Sequence, residues 1–565
     1  MDIKLSWFRG CRFDGNIYVQ CHGDVSDARI KYSLLKGGEL LREKSAFQDG
    51  MVVFENLELS DYDVLAKAVM PSGKVFDVGS VSINIPESAR TASFMELISN
   101  DSMVEEVLDQ FGKTGEGGFI KGARHEIVSL KGGLELDSGF RNNLQVMFVS
   151  EGYDKLLGEK KEVVPVYFKI KELLGFKPVF DRAAVLGKTG VGRGLDRFTN
   201  LYRVETDVED NLLLQLAKEL EKLEYVEYCS LSRDLSLLEP PPLQLGQAEN
   251  SKTSLPAENA KTPDFSSMQG YLDEPLGMNV RNAWNSESHP GYYATVRHLD
   301  FGIYRNHEDL SGQRITVVNS RPETEDCNHG TASTGCIVAG KADGRGVAGV
   351  AHDCRFYFYD TGDTAQIVAD FNPGDIVSFD IQLGALTGHL VPFVHNKTIW
   401  DYVGHCVKGG AVVVFAAGNG GLNLKLNPLI FRNYGNNGAL MVGACGSASE
   451  LRHSFSNFNL YGALNSWGDN VTTTGYGELQ DYEGNDRDYT QYYDGTSSAT
   501  PLVAGALACI QSYVKSHHNV YLNCQEMLAL VSASGYQKSA ERREGIGARP
   551  NVAAAIATVN RLLGD

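Results

Sequence analysis

Ser497 stands in a turn of small residues that runs from Gly495 to Pro501 and leads into an apolar run ending at Ile510. A segment without a polar face is typical of a buried helix, and proline is tolerated in a first helical turn because its missing N–H has no partner there. The pattern predicts that Ser497 lies at the N-terminus of such a helix. Free backbone N–H groups and the helix dipole favour negative charge there, which suits a nucleophile that generates an oxyanion. A small-residue helix start without chemistry is the alternative.

Three further polar residues lie at predicted strand ends and helix starts. Asp300 ends a strand-like run two residues before a glycine, His329 opens a helix of small residues, and Asn419 ends a buried strand. Because sites in open α/β sheets gather outside the carboxyl ends of the strands, Asp300 and Asn419 are expected at the same edge. Taken singly, a histidine at a helix start is often a cap, and an asparagine before glycine is often a turn residue.

Taken together, these motifs make residues 268–560 similar to the subtilisin-like serine proteases (subtilases). The order Asp, His, Ser along the chain is that of subtilisin. Residues 495–501 match the Gly-Thr-Ser-x-Ala-x-Pro motif at every fixed position, and residues 306–310, 349–351 and 454–458 resemble further segments of the family. The match is specific because it rests on several separated motifs in one order.

The resemblance implies a serine endopeptidase that acts through an acyl-enzyme. Ser497 is then the nucleophile, His329 its base and later the acid for the leaving amine, and Asp300 the group that orients the imidazole. Asn419 is expected to donate its amide N–H to the oxyanion, together with the backbone N–H of Ser497. No cofactor and no metal ligand is predicted. Subtilases often carry structural calcium, but no compact acidic loop in the sequence commits to it.

The predicted substrate-binding edge departs from the family pattern. Where subtilases commonly have Ser-Leu-Gly-Gly, this chain has SFDIQLG over residues 378–384. Asp380 and Gln382 are therefore candidate substrate-binding residues. Asp380 would favour basic substrate residues or would serve as a structural hydrogen-bonding group. His298 lies two residues before Asp300, where a satisfied core histidine is favoured over a catalytic partner.

Alternating strands and helices predict a subtilisin-like α/β domain with a parallel central sheet over residues 265–565. Strands are expected near residues 294–299, 354–359, 376–379, 411–415 and 440–442. Helices are expected after His329, around residues 398–407 and after Ser497.

The first 88 residues are predicted to be β-rich. Residues 1–88 alternate strand-like runs with turns, as in a β-sandwich, and residues 57–64 resemble the tyrosine corner of immunoglobulin-like and fibronectin type III-like domains, with Tyr62 as the tyrosine. A spacer or a docking module for a partner is the expected role. Residues 89–160 are a connecting region of unassigned fold, with a helix predicted near 102–111 and a strand near 144–149.

Residues 161–235 are predicted to form an α+β unit, with strands near 163–170, 200–205 and 225–229 and a helix with a leucine stripe from residue 211. This unit resembles the inhibitory propeptide of subtilases. Residues 236–264 contain three consecutive prolines and a polar run, typical of an extended linker that proteases can reach. The resemblance therefore implies a zymogen that processes itself within this linker.

The length of the chain bears on its number of domains, and its net charge bears on the classes of partner that it can bind. A chain of 565 residues with a formal net charge of -19 favours several domains and argues against nucleic acid and anionic membranes as main partners. No apolar run approaches the roughly 18 residues of a membrane span, and the first residues do not resemble a secretory signal. The ten cysteines contain no C-x-x-C pair and are expected to be reduced. A cytoplasmic location is therefore expected, and export by a non-classical route stays open.

Two alternatives to a self-processing protease remain at this point. A pseudoprotease would use the fold only to bind a partner, although all four catalytic residue types are present. In the other alternative, the propeptide-like unit is never removed and a partner or signal relieves its inhibition.

Overall fold

A computed structural model describes residues 4–22, 28–46, 51–90, 94–99, 142–180, 195–233, 238–244, 261–285, 290–341, 344–384, 390–425, 435–482, 484–537 and 545–564. The strands β1–β23 are, in chain order, Lys4–Gly10, Ile17–His22, Arg29–Lys36, Glu39–Ala46, Met51–Phe54, Asp61–Val69, Val75–Asn84, Asn142–Phe148, Gly175–Pro178, Leu201–Glu205, Val226–Arg233, Thr295–Asp300, Ile315–Val317, Arg355–Asp360, Ile376–Phe379, Gln382–Gly384, Leu390–Pro392, Val412–Ala416, Leu440–Cys445, Ala463–Trp467, Val471–Thr474, Tyr489–Tyr493 and Val520–Tyr521. The helices α1–α11 are Phe94–Ser99, Gly152–Leu157, Pro165–Ile170, Asp210–Leu220, Val280–Trp284, Asn328–Val338, Thr364–Asp370, Lys397–Lys408, Thr496–His518, Cys524–Ser534 and Val552–Leu563.

The C-terminal domain is built on a seven-stranded parallel sheet in the order β13-β14-β12-β15-β18-β19-β20. Strands β12, β15, β18 and β19 are buried along their whole length, as parallel strands covered on both faces should be. The five strands predicted for this domain are all present, with bounds within three residues of the prediction. The predicted α/β fold of this domain is confirmed.

The long helix α9 begins one residue before Ser497 and is buried from Thr496 to Lys515. The buried helix predicted after this serine is therefore present. One detail of the prediction is wrong, because Pro501 lies in the second turn of α9 and not in the first. Proline has no N–H, so the carbonyl of Ser497 receives no helical hydrogen bond from residue 501.

The N-terminal region contains two four-stranded sheets, β23-β1-β2-β5 and β4-β3-β6-β7, which share one buried apolar core. The hydroxyl of Tyr62 donates a hydrogen bond to the carbonyl of Glu58 at 3.0 Å, the contact expected of the predicted tyrosine corner. The likeness to immunoglobulin-like and fibronectin type III-like domains stays a prediction. Strand β23 belongs to the C-terminal domain and pairs in parallel with β1, which joins the two regions through backbone hydrogen bonds.

The α+β unit begins earlier than predicted. Its four-stranded antiparallel sheet has the order β11-β8-β10-β9 and includes β8 at Asn142–Phe148, upstream of the predicted boundary at residue 161. The strand predicted near 163–170 is wrong, because Pro165–Ile170 forms helix α3. Proline favours the first position of a helix, and Tyr167 and Ile170 are both buried at helical spacing. The helix predicted near residues 102–111 lies outside the described residues, as do residues 245–260 of the predicted linker.

The sheet of the α+β unit packs against the C-terminal domain with one of its faces. Met147 and Tyr228 join the core of the C-terminal domain, whereas Val146 packs with helices of the α+β unit, as the alternation of a strand requires. Phe198 contacts Tyr402 of helix α8, with 5.2 Å between the ring centroids. The two units therefore share a buried apolar interface.

None of the helices in the described ranges combines the length and the apolar character needed to cross a bilayer. All ten cysteines lie in the described residues, where each is buried and none forms a disulfide.

Candidate active site

The four candidate residues lie at the ends of the predicted elements. Asp300 is the last residue of β12, His329 is the second residue of α6, Ser497 is the second residue of α9, and Asn419 follows β18. Parallel strands present their carboxyl ends at one edge of the sheet, which explains why Asp300 and Asn419 share it. The sequence therefore predicts correctly which elements carry each candidate residue.

Glycines allow the elements of the site to approach each other closely. A Cβ atom at Gly330 would overlap the carbonyl oxygen of Gly302. Helix α6 can therefore begin directly against the turn that follows Asp300, because position 330 carries no side chain.

Asp300 and His329 are joined by a short, buried hydrogen bond. The distance from Nδ1 of His329 to Oδ1 of Asp300 is 2.6 Å, and the two side chains are 1% and 0% exposed. Burial alone would raise the pKa of Asp300, but the charge of His329 and the hydrogen bonds from His298 and His329 outweigh it and hold this pKa well below its ordinary value. Asp300 is therefore an ionised hydrogen-bond acceptor at neutral pH.

This bond determines which nitrogen of His329 can act as a base. A carboxylate only accepts hydrogen bonds, so Nδ1 carries the hydrogen and Nε2 of the neutral ring holds the lone pair. Nε2 is buried and has no hydrogen-bond partner among the described residues. The bond from Ser497 to this atom is thus not formed in this structure, although Ser497 lies at the start of α9 as predicted. Catalytic hydrogen bonds often tighten only when a substrate is bound.

The side chain of Asn419 is held by the residue that precedes Ser497. The backbone N–H and the hydroxyl of Thr496 both donate to Oδ1 of Asn419, at 2.9 and 3.0 Å. These two bonds leave the NH₂ group of Asn419 as the free end of the amide, available as a donor. A Cβ atom at Gly495, where φ is 88°, would lie 3.1 Å from that nitrogen. Thr496 was not identified from the sequence as a residue of the site. Its position directly before Ser497 could have indicated this role.

His298 contacts the second oxygen of Asp300. Its Nε2 lies 3.0 Å from Oδ2 of Asp300, and its Nδ1 lies 3.1 Å from Oγ of Ser378. The interpretation of His298 as a satisfied core histidine is confirmed, since the ring is buried and both nitrogens have partners. Its contact with Asp300 was not predicted. The contact could have been predicted, because two residues that are two positions apart on one strand have their side chains on the same face of the sheet.

Asp380 is buried next to the site and is not exposed at its surface. Its side chain is 1% exposed, and its Oδ2 accepts a hydrogen bond of 2.9 Å from Ser333, whose hydroxyl also contacts Tyr493. Oδ1 of Asp380 is buried and has no partner among the described residues. This placement argues against contact with substrate and favours the structural alternative stated above.

Burial, and then the negative charge of Asp300, raise the pKa of Asp380 well above 3.8, in spite of the hydrogen bond from Ser333. Asp380 is therefore a neutral carboxylic acid in the folded protein under mildly acidic conditions.

Replacing Asp380 by asparagine is expected to stabilise the protein increasingly as pH rises. The raised pKa contributes stability that is full below pH 3.8 and is lost as pH rises towards that pKa, whereas an amide does not titrate. The unfolding free energy of Asp380→Asn minus that of the parent protein should therefore grow by about 1.4 kcal/mol per pH unit in this window. Urea unfolding at about pH 4.5, 5.5 and 6.5, in a Ser497→Ala background that prevents autolysis, measures the difference.

Asp486→Asn, at an exposed position, is the matched control for an aspartate-to-asparagine change. Equal pH dependence for Asp380→Asn and its parent would contradict a neutral Asp380.

Gln382 lies next to Asn419 and is half-buried. Its side-chain oxygen accepts a hydrogen bond from the backbone N–H of Asn419 at 2.9 Å. This contact supports the loop that carries Asn419. The substrate-binding role predicted for Gln382 stays a prediction.

In the described part of the chain, one group of three side chains has atoms spaced closely enough for a metal ion. His298, Asp300 and Asp380 each offer an atom within 4.8 Å of the others. Both nitrogens of His298 and the facing oxygen of Asp300 are already engaged in hydrogen bonds. We therefore interpret this group as a hydrogen-bonded network and assign no metal to it.

Comparison with known proteins gives matches to residues of this domain. A model of the Subtilase family matches residues 293–547. A thermophilic serine proteinase of Bacillus sp. (strain AK1) is 27% identical over 283 residues, which cover 49% of this chain and 66% of that protein. A subtilisin-like protease of Coccidioides posadasii (strain C735) is 28% identical over 41% of this chain and 55% of its own. Subtilisin-like protease 2 of Trichophyton tonsurans is 30% identical over 41% of this chain and 53% of its own.

These matches span between about half and two thirds of the relatives' own length. Among solved structures, a protease from Pseudoalteromonas arctica is 21% identical, with a TM-score of 0.40 over 53% of this chain and 99% of its own. The prenylagaramide maturation protease PagA is 18% identical, with a TM-score of 0.39 over 51% of this chain and 99% of its own.

Proposed function

Because a model of the Subtilase family matches residues 293–547, we propose that this chain is a serine endopeptidase in which Asp300, His329 and Ser497 hydrolyse peptide bonds. The observation that carries the proposal is the 2.6 Å hydrogen bond between Asp300 and Nδ1 of His329, which leaves Nε2 as the basic nitrogen. The substrates are then proteins or peptides.

The proposed reaction has two halves. Nε2 of His329 takes the hydroxyl proton as Oγ of Ser497 attacks the peptide carbonyl, and Asp300 stabilises the imidazolium. The oxyanion accepts hydrogen bonds from the amide of Asn419 and from the backbone N–H of Ser497. The C–N bond then breaks, His329 gives the proton to the leaving amine, and an acyl-enzyme remains. Water, deprotonated by the same nitrogen, attacks the ester, the bond between Oγ of Ser497 and the acyl carbon breaks, the acyl group leaves as a carboxylic acid, and Ser497 recovers its proton.

Covalent labelling tests whether this machinery is active. A fluorophosphonate probe should modify Ser497, as located by peptide mapping, and the variant His329→Ala should not be labelled because it has no base. Ser498→Ala is the matched control, because Ser498 is buried and donates its hydroxyl to the carbonyl of Trp467 at 3.0 Å. This variant should be labelled at Ser497. A folded parent protein that resists the probe both as purified and after limited proteolysis has cut the linker would support the pseudoprotease alternative.

The proposal extends to the upstream α+β unit, which we infer to be a built-in inhibitor. Two contacts support this role. Arg197 of the unit lies 3.4 Å from Asp401 on helix α8 of the C-terminal domain. The backbone N–H of Gln244, in the predicted linker, donates to Oδ1 of Asp494 at 2.7 Å. Asp494 stands three residues before Ser497, so the linker passes next to the start of α9.

Purified protein is expected to cut itself within residues 236–264, whereas Ser497→Ala stays at full length. The reason is that Gln244 of the linker contacts Asp494 near the start of α9 and that only a chain with its nucleophile can cleave the linker. Intact-mass measurement during incubation follows the cut, and N-terminal sequencing of the product locates it. Equal processing of the two proteins would contradict self-cleavage. An active enzyme whose chain stays uncut would favour the alternative in which the unit is never removed.

A further inference from the structure

We propose that His298 is a positioning residue for the proposed hydrolysis and holds Asp300 in the orientation that His329 requires. The inference rests on the proposed function and adds a role that the triad itself does not supply. Its observation is the 3.0 Å hydrogen bond between Nε2 of His298 and Oδ2 of Asp300.

The sheet places the two side chains together. His298 and Asp300 are two residues apart on β12 and therefore lie on the same face of the sheet. Ser378 on β15 is the register partner of His298 and provides the contact to its other nitrogen. A strand buried along its whole length normally carries apolar side chains, so a histidine at this position needs partners for both nitrogens.

The directions of the hydrogen bonds follow from the chemistry of the groups. Nε2 of His298 carries the hydrogen, because the carboxylate of Asp300 can only accept. In the neutral ring, Nδ1 then accepts from the hydroxyl of Ser378. Oδ1 of Asp300 accepts from Nδ1 of His329 and from the backbone N–H of Phe301, at 2.6 Å each. Among the described residues, His298 is the hydrogen-bond donor to Oδ2.

Without His298, Oδ2 of Asp300 would lose its hydrogen-bond donor in a buried site. Asp380 lies close to Asp300 and His298, and its unpartnered oxygen is also buried. An acceptor without a partner in such surroundings is costly, and Asp300 would reorient or take up a proton. Either change removes the alignment of His329, whose Nδ1–H bond fixes Nε2 towards Ser497.

The test measures the rate of fluorophosphonate labelling of Ser497 against pH in protein that has been incubated until its intact mass no longer changes. His298→Val removes both hydrogen bonds of the ring. His298→Gln places an amide nitrogen close to the position of Nε2, and so retains the donor to Asp300. His298→Asn places its amide close to the position of Nδ1, and so retains only the contact with Ser378. Both variants keep a polar amide in the site, but only the glutamine retains the contact with Asp300. A difference between them therefore measures the effect of that contact.

We expect His298→Val and His298→Asn to be labelled about tenfold to a hundredfold more slowly, with the acidic limb of the profile displaced upwards by about one pH unit. The displacement arises because the negative charge of Asp300, with one donor fewer, favours the protonated form of the Asp300–His329 pair up to a higher pH. His298→Gln should restore the position of the acidic limb and most of the rate. His307→Gln is the matched control, since His307 is buried and bonded to the carbonyl of Asp488. It should leave the limb in place.

Profiles of His298→Val and His298→Asn that superimpose on the parent profile would overturn the inference, as would a glutamine variant no better than the asparagine variant. If His298→Val does not fold, the comparison of His298→Gln with His298→Asn still tests the inference. A parent protein that is not labelled at any pH would instead overturn the proposed function. The two failures are therefore distinguishable.

Discussion

Replacement of Ser497 by alanine is expected to lower kcat for peptide hydrolysis by about a millionfold, the magnitude known for subtilisin itself. The loss is large because the variant has no oxygen that can form the acyl-enzyme, and the remaining groups only bind the substrate and polarise its carbonyl. His329→Ala should cost a similar factor. The double variant should be no slower than either single variant, since a base without a nucleophile, or a nucleophile without a base, contributes little.

The measurement is the initial rate of cleavage of a fluorogenic protein such as labelled casein. The concentration of active parent enzyme is fixed by titration with the fluorophosphonate probe. Ser498→Ala is the control for a serine-to-alanine change in the same helix, and we expect it to retain hydrolysis. Losses from Ser497→Ala and His329→Ala that multiply in the double variant would contradict a single mechanism shared by the two residues.

The sequence predicts the elements of the C-terminal domain well because local signals are strong there. Buried parallel strands such as β12 and β18 are apolar runs with sharp ends, and the residues directly after them belong to the edge of the sheet. Asp300 and Asn419 could therefore be assigned to one edge before any distance was known. The same reasoning placed Ser497 at the start of a buried helix.

Long-range pairing is what the sequence leaves open. Strand β8 joins β10 and β11 across residues 149–200, and no local pattern indicates that its partners lie so far along the chain. Helix α3 was predicted as a strand because six residues are too few to separate the two periodicities. The position of Asp380 depends on its contact with Ser333, which in turn contacts Tyr493, so its burial could not be predicted from its own neighbours.

Asn419→Ala is expected to lower kcat by about a hundredfold to a thousandfold, or about 3–4 kcal/mol of barrier, the cost known for the equivalent donor of subtilisin. The geometry gives the reason. Thr496 donates twice to Oδ1 of Asn419, so the amide cannot turn without breaking both bonds, and its N–H donors stay directed away from Thr496. KM should change little, because these donors act on charge that develops only in the transition state.

Two further variants separate the donor from the shape of its side chain. Asn419→Asp keeps the shape but removes the N–H donors and adds negative charge beside the oxyanion, so it should lose at least as much activity as Asn419→Ala. Thr496→Val keeps the backbone N–H that holds Oδ1 and removes only the hydroxyl, so a loss of about tenfold is expected. Steady-state kinetics with kcat and KM resolved for each variant provide the measurement. An aspartate variant as active as the parent would show that the oxyanion takes its hydrogen bonds elsewhere, because a carboxylate at this position has none to give.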